Sequence, residues 1–422
     1  MTLARKDTPG RARAEEAGRD IVVTGIGVIS PLGIGREAFW KGLEEGRSGF
    51  KEISIFDTSE FSVHVGGEVS DFDPESYIGK KDLRILDRST KLVTSAARLA
   101  TDDAGLDISD DNTHYTGVSV GTTFGSLHSI AQFDLTGLRE GPRFVNPSLF
   151  PNTVINSPAS QVSIRFGIKG FNTTVSTGFC ASLDAVIYAA DFIRLKRAEA
   201  VLAGGVEELC EETFRGFHTL GFLSGADGSP PLCCPFDARR NGIILSEGAA
   251  ILILESRAHA LRRGATVLAR ISGYGNSFDP AGSTGRGLCK AIELALGEAS
   301  LDPGEIDYIS ASANSTQKLD RMETEVLKKV FGRDAYTIPV SSIKSMVGET
   351  FSASGALSLS AAVGALNNGF LPPTVNYSER DPGCDLDYVP NEARQKEIRK
   401  ALVISSDPYG SNTAVVIEKT RR

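Results

Sequence analysis

The chain runs twice through one alternation, a short β-branched strand followed by a helix-length stretch, and this repetition restricts it to a duplicated α/β architecture. Segment 21–29 (IVVTGIGVI) reads as a buried strand, because its β-branched residues run together and stop at the turn signal Ser30-Pro31-Leu32-Gly33. Similar strands follow at 118–123 (VSVGTT), 174–177 (TVST), 200–205 (AVLAGG) and 249–255 (AAILILE), with helical stretches at 85–104 and 181–197. The pattern then restarts with strands at 269–275, 308–313, 338–343 and 402–407, separated by helices at 286–300, 320–331 and 353–368. Stacked, mostly parallel sheets covered by helices are the expected result, and the small residues of Ser354-Gly355-Ala356-Leu357 suit a helix packed closely between two sheets.

The chemistry available to such a scaffold is narrowed by what the chain lacks. Its net charge is −8 and its Lys and Arg are scattered, which argues against nucleic acid or an anionic membrane as partner. No apolar run approaches the roughly 18 residues of a membrane span. The charged start MTLARKDTPGRARAEEAGRD has no apolar leader core, so a cytoplasmic protein with a disordered tail over 1–19 is expected. Six cysteines show no CxxC pair and no His at ligand spacing, so neither a metal nor a disulfide framework is expected, and no cofactor is indicated. Adjacent Cys233 and Cys234 are expected to pack beneath a loop rather than bond to each other.

Seven ordered segments carry a resemblance: VVTGIGVISPLG (22–33), FPNTVINSPASQVSIRFGIKG (150–170), AVLAGGVEE (200–208), CPFDARRNGIILSEGAA (234–250), STQKLDRMETE (315–325), SSIKSMVGE (341–349) and LPPTVNY (371–377). Together they resemble the elongating beta-ketoacyl-acyl-carrier-protein synthases of the thiolase-like fold over about residues 20–420. The resemblance implies a five-layer αβαβα sandwich of two duplicated halves, 20–258 and 259–422, and an obligate dimer. It also implies that Asp237, Arg239 and Glu247 brace the site.

The family's chemistry needs a thiolate at the start of a buried helix and two imidazoles. The nucleophile segment, T-A-C-A-x-x-L-D-A in the family, reads Thr177-Gly178-Phe179-Cys180-Ala181-Ser182-Leu183-Asp184-Ala185, which puts Phe179 in the nucleophile's place and Cys180 one residue late. One residue is about 100° of helical rotation, so the Cys180 thiol is expected to point elsewhere. The first imidazole position is Ser312 (SASANST, 310–316) and the second is Glu349 (KSMVGE, 344–349), with Lys344 retained and expected to pair with Glu349. The gate motif G-F-G-G-T-N reads Asp407-Pro408-Tyr409-Gly410-Ser411-Asn412.

A ketosynthase scaffold without its Cys-His-His set is similar to the chain-length factor subunits of type II polyketide synthases. That resemblance implies a non-condensing partner of a ketosynthase alpha subunit, in polyketide or related fatty-acyl biosynthesis. The growing acyl chain would extend against Phe124, Leu127, His128, Ile130 and Phe133, with Ser148, Leu149 and Phe150 reaching across the interface. Acyl carrier protein would dock mainly on the partner, with Arg194, Lys196 and Arg197 as a local basic contribution. Two alternatives stay open at this point: a homodimeric acyltransferase or atypical condensing enzyme that uses Cys180, and a scaffold that stabilises a partner without shaping its product.

Overall fold

The computed structural model describes residues 20–281 and 284–420; the tail expected over 1–19 lies outside the described residues. The N-terminal half supplies β1 (Ile21–Ser30), α1 (Arg88–Ala104), β2 (Thr116–Gly121), α2 (Leu127–Arg139), α3 (Ser157–Phe166), β3 (Asn172–Val175), α4 (Ala181–Arg194), β4 (Ala200–Glu207) and β5 (Gly248–Ser256). After the short helix Arg257–Arg262 come β6 (Ala269–Phe278), α5 (Arg286–Ala299), β7 (Tyr308–Ser310), α6 (Gln317–Phe331), β8 (Val340–Ser341), α7 (Ser354–Asn368), β9 (Lys400–Ser406) and β10 (Ser411–Glu418).

The first five strands lie in the order β3-β2-β4-β5-β1 and the last five in the order β8-β7-β9-β10-β6, so both halves share one topology. The halves are stitched together where β1 pairs antiparallel with β6, Ile21 opposite Ile271 and Val23 opposite Ala269. The expectation of mostly parallel sheets is corrected. In each half two pairings are parallel and two antiparallel. A β-branched run buried on both faces reads the same in either direction, and only four residues separate β9 from β10, a connection that permits only a hairpin.

Strand alternation sends successive side chains into different cores. Val201 and Ala203 face a central core that also holds Val403 and Val415 of the other half, with α4 and α7 between the sheets. Leu202 and Val206 face the opposite way, onto α1 and α3. In the second half Leu402 and Ile404 pack on α5 and α6. Helices, sheet, helices, sheet and helices thus form five layers. The middle layer is tight: a Cβ at Gly355 would come within 2.6 Å of Leu183, and Ser182 Oγ accepts the Ala356 N–H at 2.9 Å. Among the described residues no helix is long and apolar enough to cross a membrane.

Candidate functional site

The site forms where β3 turns into α4, beside the ends of β9 and of the segment before α7. Gly178, at φ 63°, starts a single 3₁₀ turn over Gly178–Cys180. A Cβ at Gly178 would fall 2.1 Å from Asp407 Oδ2, so the turn needs glycine for space as well as for backbone conformation. Phe179 is buried. Its N–H donates to Asp407 Oδ2 at 2.9 Å, and its carbonyl accepts from Ser405 Oγ at 3.0 Å. The same Asp407 carboxylate accepts the Tyr409 N–H at 2.6 Å. An internal anion therefore occupies amide donors at the elbow, where an acyl-transfer site would present donors to a developing oxyanion. Burial pushes the Asp407 carboxyl above the usual range.

The Phe179 ring packs on Phe351 at 5.1 Å between centroids, and Phe351 continues to Phe217 at 4.9 Å and to Phe124 at 5.4 Å. Phe351 itself is a non-glycine residue at φ 45°. Glu349 fixes it by accepting the Phe351 N–H at 3.0 Å. The Glu349 carboxylate also accepts from Lys344 Nζ at 2.8 Å, Asn314 Nδ2 at 2.9 Å and Ser354 Oγ at 2.8 Å, and both members of the ion pair are buried. Ser312, the other altered imidazole position, receives the Ser406 N–H on its Oγ at 2.9 Å and donates its own N–H to Glu323. Two further buried acids line this side: burial pushes Glu323 up to about 8 and Asp320 up to about 6.

Cys180 lies one position further round the turn. It is fully buried, its Sγ donates to the Ser411 carbonyl at 3.3 Å, and burial, followed by the nearby Asp184 carboxylate, drives its pKa far above that of a free thiol. A thiol so placed faces β10 and is held protonated.

The residues assigned to a tunnel divide into two groups. Phe124 sits at the edge of the aromatic cluster that contains Phe351 and Phe217. Leu127, Ile130 and Phe133 are half-buried on α2, a helix on which no residue is fully buried. Phe133 meets Phe150 at 6.1 Å, and Ser148, Leu149 and Phe150 are exposed. His128 is the outlier. Its ring is at the surface, with Nδ1 3.2 Å from the Glu212 carboxylate, a partner 84 residues away that spacing alone does not reveal.

Asp237 takes the Arg239 guanidinium at 2.8 Å, and Glu247, fully buried, takes Arg88 through two hydrogen bonds. Cys233 and Cys234 are buried free thiols. Of the basic cluster, Arg194 is committed to Glu298 and to the Tyr274 hydroxyl, which leaves it little charge to offer a carrier protein. Sequence reasoning misses the roles of Asp407 and Phe351. The altered gate motif signals a change at position 407 but not the bond it makes.

Residues 18–260 match the beta-ketoacyl synthase N-terminal domain and residues 268–378 its C-terminal domain. The chain is 36% identical to a 3-oxoacyl-[acyl-carrier-protein] synthase 2 of Coxiella burnetii, covering 95% of this chain and 99% of that one. It is 39% identical to a putative polyketide beta-ketoacyl synthase 1 of Streptomyces halstedii, covering 96% and 99%. Among solved structures, the ishigamide ketosynthase/chain length factor superposes with a TM-score of 0.90 at 35% identity, covering 96% of this chain and all of that one. With the matches spanning both halves, the chain belongs to the beta-ketoacyl synthase family.

Proposed function

We propose that this chain is a chain-length factor: the non-condensing subunit of a ketosynthase heterodimer in type II polyketide or related acyl biosynthesis. The observation that carries the reading is the filled elbow, where the Phe179 ring replaces a nucleophile and the Phe179 N–H is already bonded to Asp407. The Lys344–Glu349 pair supports it, because a carboxylate with four donors has no free lone pair directed at a substrate. The likeness to the ishigamide ketosynthase/chain length factor adds to it.

In this reading a ketosynthase alpha subunit covers the apolar face of α2 and the exposed Leu149 and Phe150. Its acyl chain then grows toward Phe124, Leu127, Ile130 and Phe133, and acyl carrier protein docks chiefly on that partner. A buried methylene is worth about 0.8 kcal/mol, so side-chain bulk at these positions suffices to set where growth stops. The homodimeric acyltransferase alternative is disfavoured by the Cys180 thiol, which faces the Ser411 carbonyl.

The test is reconstitution with a partner ketosynthase. Incubation with acyl-carrier-protein thioesters is expected to leave this chain at its unmodified mass, while Phe133→Ala lengthens the product of the pair. Acylation on Cys180, or a product length indifferent to Phe124→Ala and Phe133→Ala alike, would sink the proposal.

A further inference from the structure

Helix α2 carries the proposed length-setting residues, yet its own packing does not fix it, since none of its residues is fully buried. Its start and the loop before it are instead bonded to a pair of adjacent acidic side chains at the end of β4. Glu207 is buried and accepts the N–H of Thr123 at 2.8 Å, the N–H of Phe124 at 3.1 Å, and the hydroxyl of Ser352 beside the Phe351 turn. Glu208, equally buried, accepts the N–H of Ser89 at 3.2 Å in the first turn of α1 and the N–H of His128 at 3.2 Å in the first turn of α2. One carboxylate thus joins the starts of two helices and satisfies donors that a helix leaves open. Ser126, the N-cap residue of α2, makes no capping bond, and its buried Oγ has no partner among the described residues.

We infer that Glu207 and Glu208 are positioning residues that set where Phe124 and α2 stand against the partner, and through them the length at which the acyl chain stops. The inference rests on the chain-length reading above. Glu208 ties α2 to α1, which packs on β1 and β5, and Glu207 ties the strand-to-helix loop to the aromatic cluster.

The experiment uses the chain paired with its ketosynthase and compares Glu208→Ala, the near-isosteric Glu208→Gln and Glu207→Gln, with Phe133→Ala and Phe124→Ala as references. Amide exchange over 123–139 is expected to quicken about tenfold in Glu208→Ala, the factor that leaving a helix-start amide without its buried acceptor predicts. Its product distribution should broaden or shift, and Glu208→Gln, which keeps an acceptor oxygen, should return both toward the parent. Unchanged exchange in Glu208→Ala would overturn the inference. So would faster exchange with unaltered product length while either reference still shifts it, an outcome that leaves the chain-length reading standing. If neither Phe133→Ala nor Phe124→Ala shifts it, the chain-length reading itself fails.

Discussion

Replacing Glu349 with glutamine keeps its shape and removes its charge, and the structure gives the size of the effect. The Lys344 ammonium is buried and reaches the Glu349 carboxylate at 2.8 Å. Breaking a buried pair by removing one partner costs about 3–5 kcal/mol, because the remaining charge stays desolvated. Glu349 also holds Phe351 in its left-handed turn, a conformation that stores about 1–3 kcal/mol when nothing restrains it. The glutamine side chain retains one acceptor oxygen for that amide, so most of the expected loss of about 3–5 kcal/mol comes from the charge. The double variant Lys344→Met/Glu349→Gln leaves no lone charge and should recover a large part of it. Urea unfolding at fixed protein concentration measures this through the single tryptophan. Trp40 is buried and donates to the Ser360 carbonyl on α7, so its fluorescence reports the middle layer. If Glu349→Gln stays within about 0.5 kcal/mol of the parent, or the double variant is no better than the single, the pair does not brace the site and the reasoning is wrong.

Cys180 should resist iodoacetamide in the folded chain and react only after denaturation, because all six cysteines are buried; rapid native labelling detected by mass spectrometry would contradict its placement. Gly178→Ala is expected to cost at least about 1–3 kcal/mol in the same urea assay, since it meets both a positive φ and the Asp407 carboxylate, and a neutral result would mean that the turn relaxes freely. Stability should fall as pH rises through the region of Glu207 and Glu208. Burial raises their carboxyls to about 7 and about 8, with Asp87 adding to the shift of Glu208; Arg88, Cys210, His128, Glu212 and, through Arg88, Glu68 and Glu247 are other charged or titratable groups around them. Their folded pKa values lie above the ordinary 4.5, so the folded state binds more protons than the unfolded one. That contribution is complete below the unfolded value and is lost upward through the folded ones, with a slope of up to about 1.4 kcal/mol per pH unit per group. Glu208→Gln should flatten the decline between about pH 5 and pH 8, and an unaltered slope would refute the assignment.

Sequence carries the strand-helix alternation and the register of the elbow, because both depend on neighbours along the chain. Phe179 and Cys180 are separable by counting from Thr177 and Leu183, and the Lys344–Glu349 pair spans only five residues. Strand direction is hidden, since Val201, Leu202 and their neighbours are buried on both faces whichever way the chain runs. Strand β10 and helix α2 escape the sequence pattern, the latter because its apolar face is only half-buried and none of its residues joins a core. Asp407 meets the Phe179 amide across 228 residues, and Glu208 meets His128 across 80, so neither bond leaves a local trace.

Strand β10 lies between β9 and β6, inside the second half rather than at its rim, although residues 411–418 form the last strand in sequence among the described residues. During synthesis the second half must therefore wait, with β6 and β9 separated by an unfilled slot, until those residues leave the ribosome. The first half meets the same constraint at β5, which fills the slot between β4 and β1, but there the gap closes once residue 256 is made, before any strand of the second half exists. Loss of the final strand would leave two unsatisfied sheet edges facing each other, inviting a neighbouring molecule's strand into the gap and thus aggregation.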